Sequence, residues 1–253
     1  MDPQMQGAYG APPTAIAPPQ GGVPHTITHG PSFGMLRVDL PPGVTLVAEA
    51  GAMVGRHDQV KMETKLNASP SAGFFETLKA LIVAFIRRFV GGETFFVNHF
   101  TTPQPGSVWL APTLSGPIVH RRLNGERLVL STGAYLAHVG QLDLKMRWGG
   151  LRGLLAKEGL FFLELTGQGD LWFSSYGGVH AIDVNGSYLV DNGHVVGFEG
   201  NLDFDIKSAG GGLMGLVASG EGLVCEFRGQ GRVYIQSRSV GSLVGWVTPL
   251  LPG

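Results

Sequence analysis

The sequence predicts an all-β protein built from three similar units, and the first observation behind this prediction is an internal repeat. Three segments resemble one another: GVTLVAEAGAMVGRHDQVKM from Gly43, GERLVLSTGAYLAHVGQLDLKM from Gly125 and GSYLVDNGHVVGFEGNLDFDI from Gly186. A period of roughly sixty residues indicates a repeat architecture and constrains the fold before any local assignment is made. We therefore expect three pseudo-equivalent β-lobes within residues 30–115, 116–178 and 179–238.

The second observation is a further element that follows each repeated segment. It reads GETFFVNHF and then PGSVWLAPT in the first copy, KEGLFFLELTGQGDLWFSS in the second and GEGLVCEFRGQGRVYIQS in the third. One large aromatic residue occupies the same place in each copy: Trp109, Trp172 and Tyr234. Because equivalent positions of a repeat meet around a common axis, we expect these three side chains to pack in the core around a pseudo-threefold axis.

The third observation is the abundance and placement of glycine. Many of the 40 glycines stand at GQG, PG or GG between short runs of valine, leucine and aromatic residues, which predicts strands of five to seven residues joined by tight turns. The GQG motifs that begin at Gly167 and Gly229 are accordingly predicted to be hairpin turns. In DLWFSS and RVYIQS every second residue is bulky, as in a strand with one face toward the core.

The two ends of the chain differ from the middle. Residues 1–24 are rich in Pro, Gly, Gln and Ala, and we expect a disordered tail there. Residues 25–253 are expected to form one all-β domain with an apolar C-terminal tail over 239–253. The N-terminal tail has no basic segment followed by an apolar run, so the default expectation is a cytoplasmic protein, with peripheral contact at the inner face of the membrane as a further option.

A Gly-rich apolar insert separates the two elements of each copy. The inserts are SAGFFETLKALIVAFIRRFVGG, WGGLRGLLAKEG and SAGGGLMGLVASGEG, and equivalence places them at the same end of the fold. Residues 74–90 have the period of an amphipathic helix whose uncharged part is too short to cross a bilayer. This helix can pack on its own domain, on another subunit or on a bilayer interface. The candidate interaction residues of the inserts are Phe75, Leu78, Lys79, Leu81, Ile82, Phe85, Ile86, Arg87, Arg88, Phe89, Leu151, Leu154, Leu213 and Met214.

Charge and composition argue against several classes of site. Eighteen basic and nineteen acidic residues give a net charge of -1, so no global field favours nucleic acid. The single cysteine, Cys225, lies in an apolar run and is expected in the core. We predict no metal, no cofactor and no catalytic residue, because the histidines are spaced singly and are expected at the surface or at strand edges: His57, His99, His120, His138, His180 and His194.

Five motifs resemble a known family. They are AEAGAMV, GGETFFVNHF, STGAYLA, FLELTGQGDLWFSSYG and GEGLVCEFRGQGRVYIQSR, and the resemblance covers about residues 30–240. In this order they are similar to the altered inheritance of mitochondria protein 24 family. The resemblance implies a short variant of the double-stranded β-helix, related to the tryptophan RNA-binding attenuation protein, with pseudo-threefold repetition. It also implies a link to mitochondrial inner-membrane organisation for fungal members, and it brings no catalytic residues.

The function that the sequence favours is a non-enzymatic scaffold or binding role. The expected partner is a protein or a second copy of the chain, with membrane-surface contact through the apolar inserts as an option and no nucleic acid. Two alternatives remain open at this point. One is a small-ligand-binding or enzymatic β-helix protein, and the other is an RNA-binding protein suggested by the fold kinship alone.

Overall fold

A computed structural model describes residues 22–66, 96–148, 161–208 and 223–251. Within these ranges the chain forms fourteen β-strands and one short α-helix, so the predicted all-β class is confirmed. The strands are β1 (His25–Thr28), β2 (Met35–Leu40), β3 (Leu46–Glu49), β4 (Met53–Arg56), β5 (Lys61–Leu66), β6 (Phe96–Thr101), β7 (Gly106–Leu110), β8 (Ile118–Asn124), β9 (Leu128–Ser131), β10 (Tyr135–Trp148), β11 (Phe161–Ser174), β12 (Val179–Asp191), β13 (Val195–Ser208) and β14 (Leu223–Gln236). The helix is α1 (Val240–Val247), and short 3-10 turns cover Thr132–Ala134, Asn192–His194 and Thr248–Leu250.

The strands form two antiparallel sheets. The smaller has the order β1-β2-β7-β4, and the larger has the order β12-β14-β13-β9-β11-β10-β3-β6-β5 with β8 paired to β11. Strands β10, β11, β13 and β14 are each 14 residues long, about twice the predicted length. We refer to β2–β7 as unit 1, β8–β11 as unit 2 and β12–β14 as unit 3.

Each unit contains the same three-stranded arrangement around an aromatic residue. Its middle strand is β7, the C-terminal half of β11 or the C-terminal half of β14, and the flanking pairs are β2 with β4, β8 with β10, and β12 with β13. A register shift occurs at the same place in every unit, directly before the residue that faces the aromatic side chain. The facing pairs are Gly55 with Trp109, Ala137 with Trp172, and Gly197 with Tyr234. Trp172 and Tyr234 are buried and Trp109 is half-buried, whereas the rotation that relates the three stays a prediction.

Neighbouring units are joined by strand pairing that we call the junction. Strand β3 of unit 1 pairs with the start of β10 in unit 2, and Ala48 faces Ala137. Strand β9 of unit 2 pairs in the same way with the start of β13 in unit 3, and Leu130 faces Gly197. The larger sheet is therefore continuous from one unit to the next.

The apolar core consists of three clusters, of which the first joins the two sheets and the other two are formed by residues of the larger sheet and its turns. One surrounds Trp172 and Phe100, a second surrounds Tyr135 and Phe173, and the third contains a set of packed aromatic rings. In the third cluster the Phe198 ring lies 5.2 Å from that of Phe227 and 6.1 Å from that of Phe162. Cys225 is buried in this cluster, as its apolar sequence context predicts.

The GQG motifs are not hairpin turns, and that prediction was wrong. Gly167 and Gly169 lie in the middle of β11, and Gly229 and Gly231 lie in the middle of β14. A Cβ atom added at Gly167 would stand 2.1 Å from the carbonyl oxygen of Gln141 on the neighbouring strand. Glycine is required here because two strand backbones approach each other closely, which is its second common role in strands.

The ends of the described chain are fixed to the sheets. Residues 22–24, which the composition assigned to the disordered tail, contact unit 2, where the Val23 amide donates a hydrogen bond of 2.9 Å to Asp170. Residues 1–21 lie outside the described ranges. At the other end, Ser239 caps α1 by accepting a hydrogen bond of 3.2 Å from the Ser242 amide.

Candidate interaction surface

All fourteen candidate interaction residues of the inserts lie outside the described ranges. They fall in residues 67–95, 149–160 and 209–222, as does the amphipathic helix expected over 74–90. Their interaction role therefore stays a prediction. In the part of the chain that the structure describes, no helix has the length and apolar character needed to cross a membrane.

A C-terminal apolar segment, residues 240–251, is the most exposed apolar part of the described chain. None of the side chains of α1 is buried, and Trp246 is 69% exposed. The sequence contains no charged side chain from Ser239 to the last residue. The large exposed apolar side chains of this segment are Val240, Val244, Trp246, Leu250 and Leu251.

The root of this segment is anchored even though the segment itself is exposed. The Ser237 amide donates to the Gly178 carbonyl at 2.9 Å, and the Arg238 amide donates to the Tyr176 carbonyl at 3.2 Å. The Arg238 guanidinium also lies 5.9 Å from the centre of the Tyr176 ring. Between the segment and unit 3 lies an open cleft of about 300 Å³, which Trp246 lines. The apolar side chains are thus held on a fixed base and face solvent.

A buried polar cluster around Asp170 was not anticipated. One carboxylate oxygen of Asp170 lies 3.0 Å from His120 Nε2, and the other accepts from Arg122 Nη1 at 2.8 Å and from the Val23 amide. The His120 ring stacks on Trp172 with 5.2 Å between ring centres, and the centre of the His25 ring lies 4.3 Å from that of His120. His120 is buried, so its expected place at the surface or a strand edge was wrong.

This arrangement is suited to fixing the chain rather than to catalysis. Burial alone would raise the pKa of Asp170, but hydrogen bonds from His120, the Val23 amide and Arg122 outweigh it and lower the pKa below the ordinary value of 3.8. A carboxylate held ionised by three donors is a poor proton acceptor. The cluster joins the N-terminal segment to β8 and β11 of unit 2.

A second buried cluster lies at the junction between units 1 and 2. Tyr135 Oη lies 2.7 Å from His138 Nδ1 and 3.1 Å from the Val47 carbonyl oxygen. Burial lowers the pKa of His138 to about 3, which keeps the ring neutral, and burial raises the pKa of Tyr135 well above its usual range. His138 is therefore a core residue, and its expected exposure was also wrong.

Glu49 at the end of β3 borders this cluster and is the basis of a pH-dependent prediction. Burial raises its pKa to about 7 from an ordinary value of 4.5. The unfolded chain therefore ionises this group first, and folding stability falls as the pH rises between these two values. We expect Glu49→Gln to raise the free energy of unfolding by about 2 to 3 kcal/mol above pH 7 and to change little near pH 4.

Urea unfolding across this pH range measures the effect of Glu49→Gln. Glu63→Gln is the matched control, because the Glu63 side chain is 72% exposed on the nearby strand β5. A gain of equal size for Glu49→Gln at both ends of the pH range would contradict the burial argument.

A charged cleft lies where units 2 and 3 meet. It has a volume of about 470 Å³ and is lined by the basic residues Arg121, Arg127 and Arg232 and by the acidic residues Glu126, Asp183 and Glu199. Each arginine pairs with a carboxylate: Arg121 with Glu199 at 2.6 Å, Arg232 with Asp183 at 2.7 Å and Arg127 with Glu164 at 3.3 Å. The cleft is therefore balanced in charge and offers no basic surface of the kind that RNA requires.

Candidate metal ligands are likewise dispersed. Within residues 22–66, 96–148, 161–208 and 223–251, no three His, Cys, Asp or Glu side chains are grouped so that they could hold a metal ion.

The described part of the chain is thus an all-β fold with a charge-balanced cleft and an exposed apolar C-terminal segment. Comparison with known proteins gives its family: the sequence profile described as Mitochondrial biogenesis AIM24 matches residues 25–238, and the chain belongs to that family. An uncharacterized protein of Streptococcus pyogenes serotype M6 is 33% identical over 230 residues, with 90% of each chain covered. A crystal structure of a Streptococcus pyogenes protein, from a structural-genomics consortium, matches with a TM-score of 0.74 and 29% identity over 90% of this chain and 100% of that one.

Proposed function

We propose that this protein is a non-enzymatic scaffold that docks on the surface of a lipid bilayer through its C-terminal apolar segment. The observation that carries the proposal is the exposure of five large apolar side chains within residues 240–251, a segment that contains no charged residue. Exposed apolar surface of this kind marks an interaction site on a folded protein.

The composition of the segment favours a bilayer interface as its partner. Burying a large apolar side chain is worth about 1.5 to 3 kcal/mol, so several such side chains are enough for reversible adsorption. Tryptophan, present here as Trp246, is enriched at the boundary between lipid headgroups and hydrocarbon. Helix α1 has 8 residues and lies far below the length of a span, so it would lie in the plane of the interface.

The anchored base of the segment supports a scaffold rather than a mobile tether. Backbone hydrogen bonds from Ser237 and Arg238 to Gly178 and Tyr176 hold the residues directly before α1 against the connection between β11 and β12. The large β-domain would then be held at a defined height above the bilayer. The predicted inserts, with Arg87 and Arg88 on the helix over 74–90, would add contacts to anionic lipid if they lie on the same side.

The proposal also accounts for the buried polar clusters without invoking catalysis. The carboxylate of Asp170 is saturated by donors, and the ring of His138 is kept neutral in the core. Neither group is placed beside a described cleft where a substrate would meet it.

Flotation with lipid vesicles tests the proposal. The wild-type chain is expected to float with zwitterionic vesicles and to remain bound at high salt, because the segment is uncharged. The double variant Trp246→Ser, Leu250→Ser should lower the partition coefficient at least about tenfold, since two large apolar contacts are removed.

The matched control is Phe33→Ser, which removes an equally exposed aromatic side chain from a loop outside the segment. It should float like the wild type. Absence of flotation by the wild type, or equal flotation by the double variant and the control, would contradict docking through residues 240–251. Flotation that needs anionic lipid and is lost at high salt would assign the contact to the basic insert instead.

A further inference from the structure

The junction between units occurs twice in the chain, and in both places it has the same register. In the first, Ala137, His138 and Val139 face Ala48, Val47 and Leu46. In the second, Gly197, Phe198 and Glu199 face Leu130, Val129 and Leu128. In each case the part of a strand directly after the register shift, at the start of β10 or β13, pairs with the second strand of the preceding unit, which is β3 or β9.

A third pair of edges has the same structure and is left open. In unit 1, β4 contains the register shift and is the counterpart of the start of β10 and β13. In unit 3, the C-terminal half of β12 is the counterpart of β3 and β9. In the part of the chain that the structure describes, β4 pairs with β7 alone and β12 pairs with β14 alone. The free edges of β4 and β12 are thus the two complementary halves of one more junction.

Side-chain exposure at these edges supports this assignment. Val54 on β4 is 59% exposed, whereas its counterparts Leu136 and Val196 are fully buried at the two formed junctions. Leu189 on β12 is 58% exposed, whereas its counterpart Val129 is 2% exposed. Tyr188 is exposed as well, and the leucines at its position in the other two units are buried. Apolar residues therefore stand in solvent where the fold elsewhere covers them.

We propose that a second copy of this chain covers these edges, with β4 of one chain pairing antiparallel to the C-terminal half of β12 of the other. The formed junctions predict the register: Gly55 faces Val190, Arg56 faces Leu189 and His57 faces Tyr188. Each new contact repeats a junction that the fold already contains, so backbone pairing and apolar packing are both satisfied. A strand of an unrelated protein would satisfy the backbone alone.

The contact is head-to-tail, because it joins two different edges, β4 of one chain and β12 of the next. Such heterologous contacts continue into rings or open filaments instead of stopping at a two-fold dimer. The proposal concerns the sheet edges of units 1 and 3 and does not depend on membrane docking through residues 240–251. A chain that fails to float and still assembles would separate the two.

Cross-linking of variants with one added cysteine tests the direction of pairing. Arg56→Cys and Leu189→Cys are prepared separately in the full-length chain and treated with a short bismaleimide, alone and mixed. The native Cys225 is buried and serves as the internal blank. Covalent dimers are expected in the mixture and not in either variant alone.

Each other result of this experiment overturns the proposal. Dimers within a single variant would indicate a two-fold contact, and no dimer in the mixture would indicate that the edges do not meet. A chain that carries both Arg56→Cys and Leu189→Cys is expected to give no internal cross-link. A cross-linked product at monomer mass would show that the third junction forms within one chain. Thermal melting of each variant checks that the fold is intact.

Sedimentation of the uncross-linked protein gives an independent readout. The wild-type mass should rise with protein concentration, and Leu189→Lys should reduce it to a single chain by placing a charge in the junction. Met62→Lys is the matched control, because Met62 is also an exposed apolar residue on a strand but lies outside the junction. It should assemble like the wild type, and a wild-type mass of one chain at all concentrations would overturn the proposal.

Discussion

Asp170→Asn is expected to lower the free energy of unfolding by about 3 to 5 kcal/mol, the usual cost of removing one member of a buried ion pair. The carboxylate accepts hydrogen bonds from His120, Arg122 and the Val23 amide, and an amide can satisfy at most part of this set. The loss should release the N-terminal segment from unit 2. Urea unfolding followed by circular dichroism measures the effect.

The pH dependence of the same variant gives the sign of the interaction. The folded state holds the pKa of Asp170 below its ordinary value of 3.8, so the carboxylate stabilises the fold above that pH and loses this contribution as the pH falls through the lower, folded-state pKa. The wild type and the variant should therefore approach each other in stability under acid conditions. Equal stability of the two near neutral pH would contradict the role assigned to the cluster.

Asp183→Asn is the matched control for this prediction. Asp183 also pairs with an arginine, Arg232, but its side chain is 77% exposed on β12. Surface pairs of this kind contribute little because water screens them. A small effect at Asp183 beside a large one at Asp170 would show that burial, and not the mere presence of an arginine partner, determines the cost.

The sequence predicted the fold class because the repeat, the placement of glycine and the short apolar runs all indicate β-strands. Trp172 and Tyr234 are buried as expected. The one-sided burial predicted for DLWFSS was wrong, because all six of its residues are buried. The repeat also identified residues that occupy equivalent places in the strand register, such as those facing Gly55, Ala137 and Gly197. The double-stranded β-helix and the symmetry axis remain predictions, since pairing alone does not measure a rotation.

The buried polar cluster around Asp170 was missed because its members are distant in sequence. His120 and Asp170 are 50 residues apart, and they meet because β8 and β11 pair with His120 facing Trp172. The local sequence around either residue does not indicate how β8 and β11 pair. A histidine that stands alone in the sequence was expected at the surface or a strand edge, whereas the buried carboxylate that pairs with His120 lies on another strand.

The GQG motifs show a second limit of sequence reasoning. A glycine pair next to a polar residue is typical of a turn, and the same residues serve where two strand backbones approach closely. The choice between these depends on the neighbouring strand, which the local sequence does not contain. The phase of the alternation offers a partial signal for a continuous strand, since the apolar residues on the two sides of GQG in β14 fall on the same alternate positions.

Two glycines that face each other across β12 and β14 differ in how closely a neighbouring strand approaches them. Gly186 and Gly229 are register partners with similar positive φ angles of 116° and 121°. A Cβ atom at Gly229 would stand 2.3 Å from the Asn201 carbonyl oxygen, whereas no heavy atom lies within 4 Å of the corresponding position at Gly186.

We expect Gly186→Ala to cost about 1 to 3 kcal/mol, the range for a non-glycine residue in a strained backbone conformation. Gly229→Ala carries the same backbone strain and in addition forces β13 and β14 apart, so it should cost more than about 4 kcal/mol or prevent folding. Urea unfolding of both variants measures the difference, and soluble expression provides the readout if Gly229→Ala does not fold. Equal losses at the two positions would mean that the φ angle alone selects glycine and that the close approach of Asn201 contributes nothing.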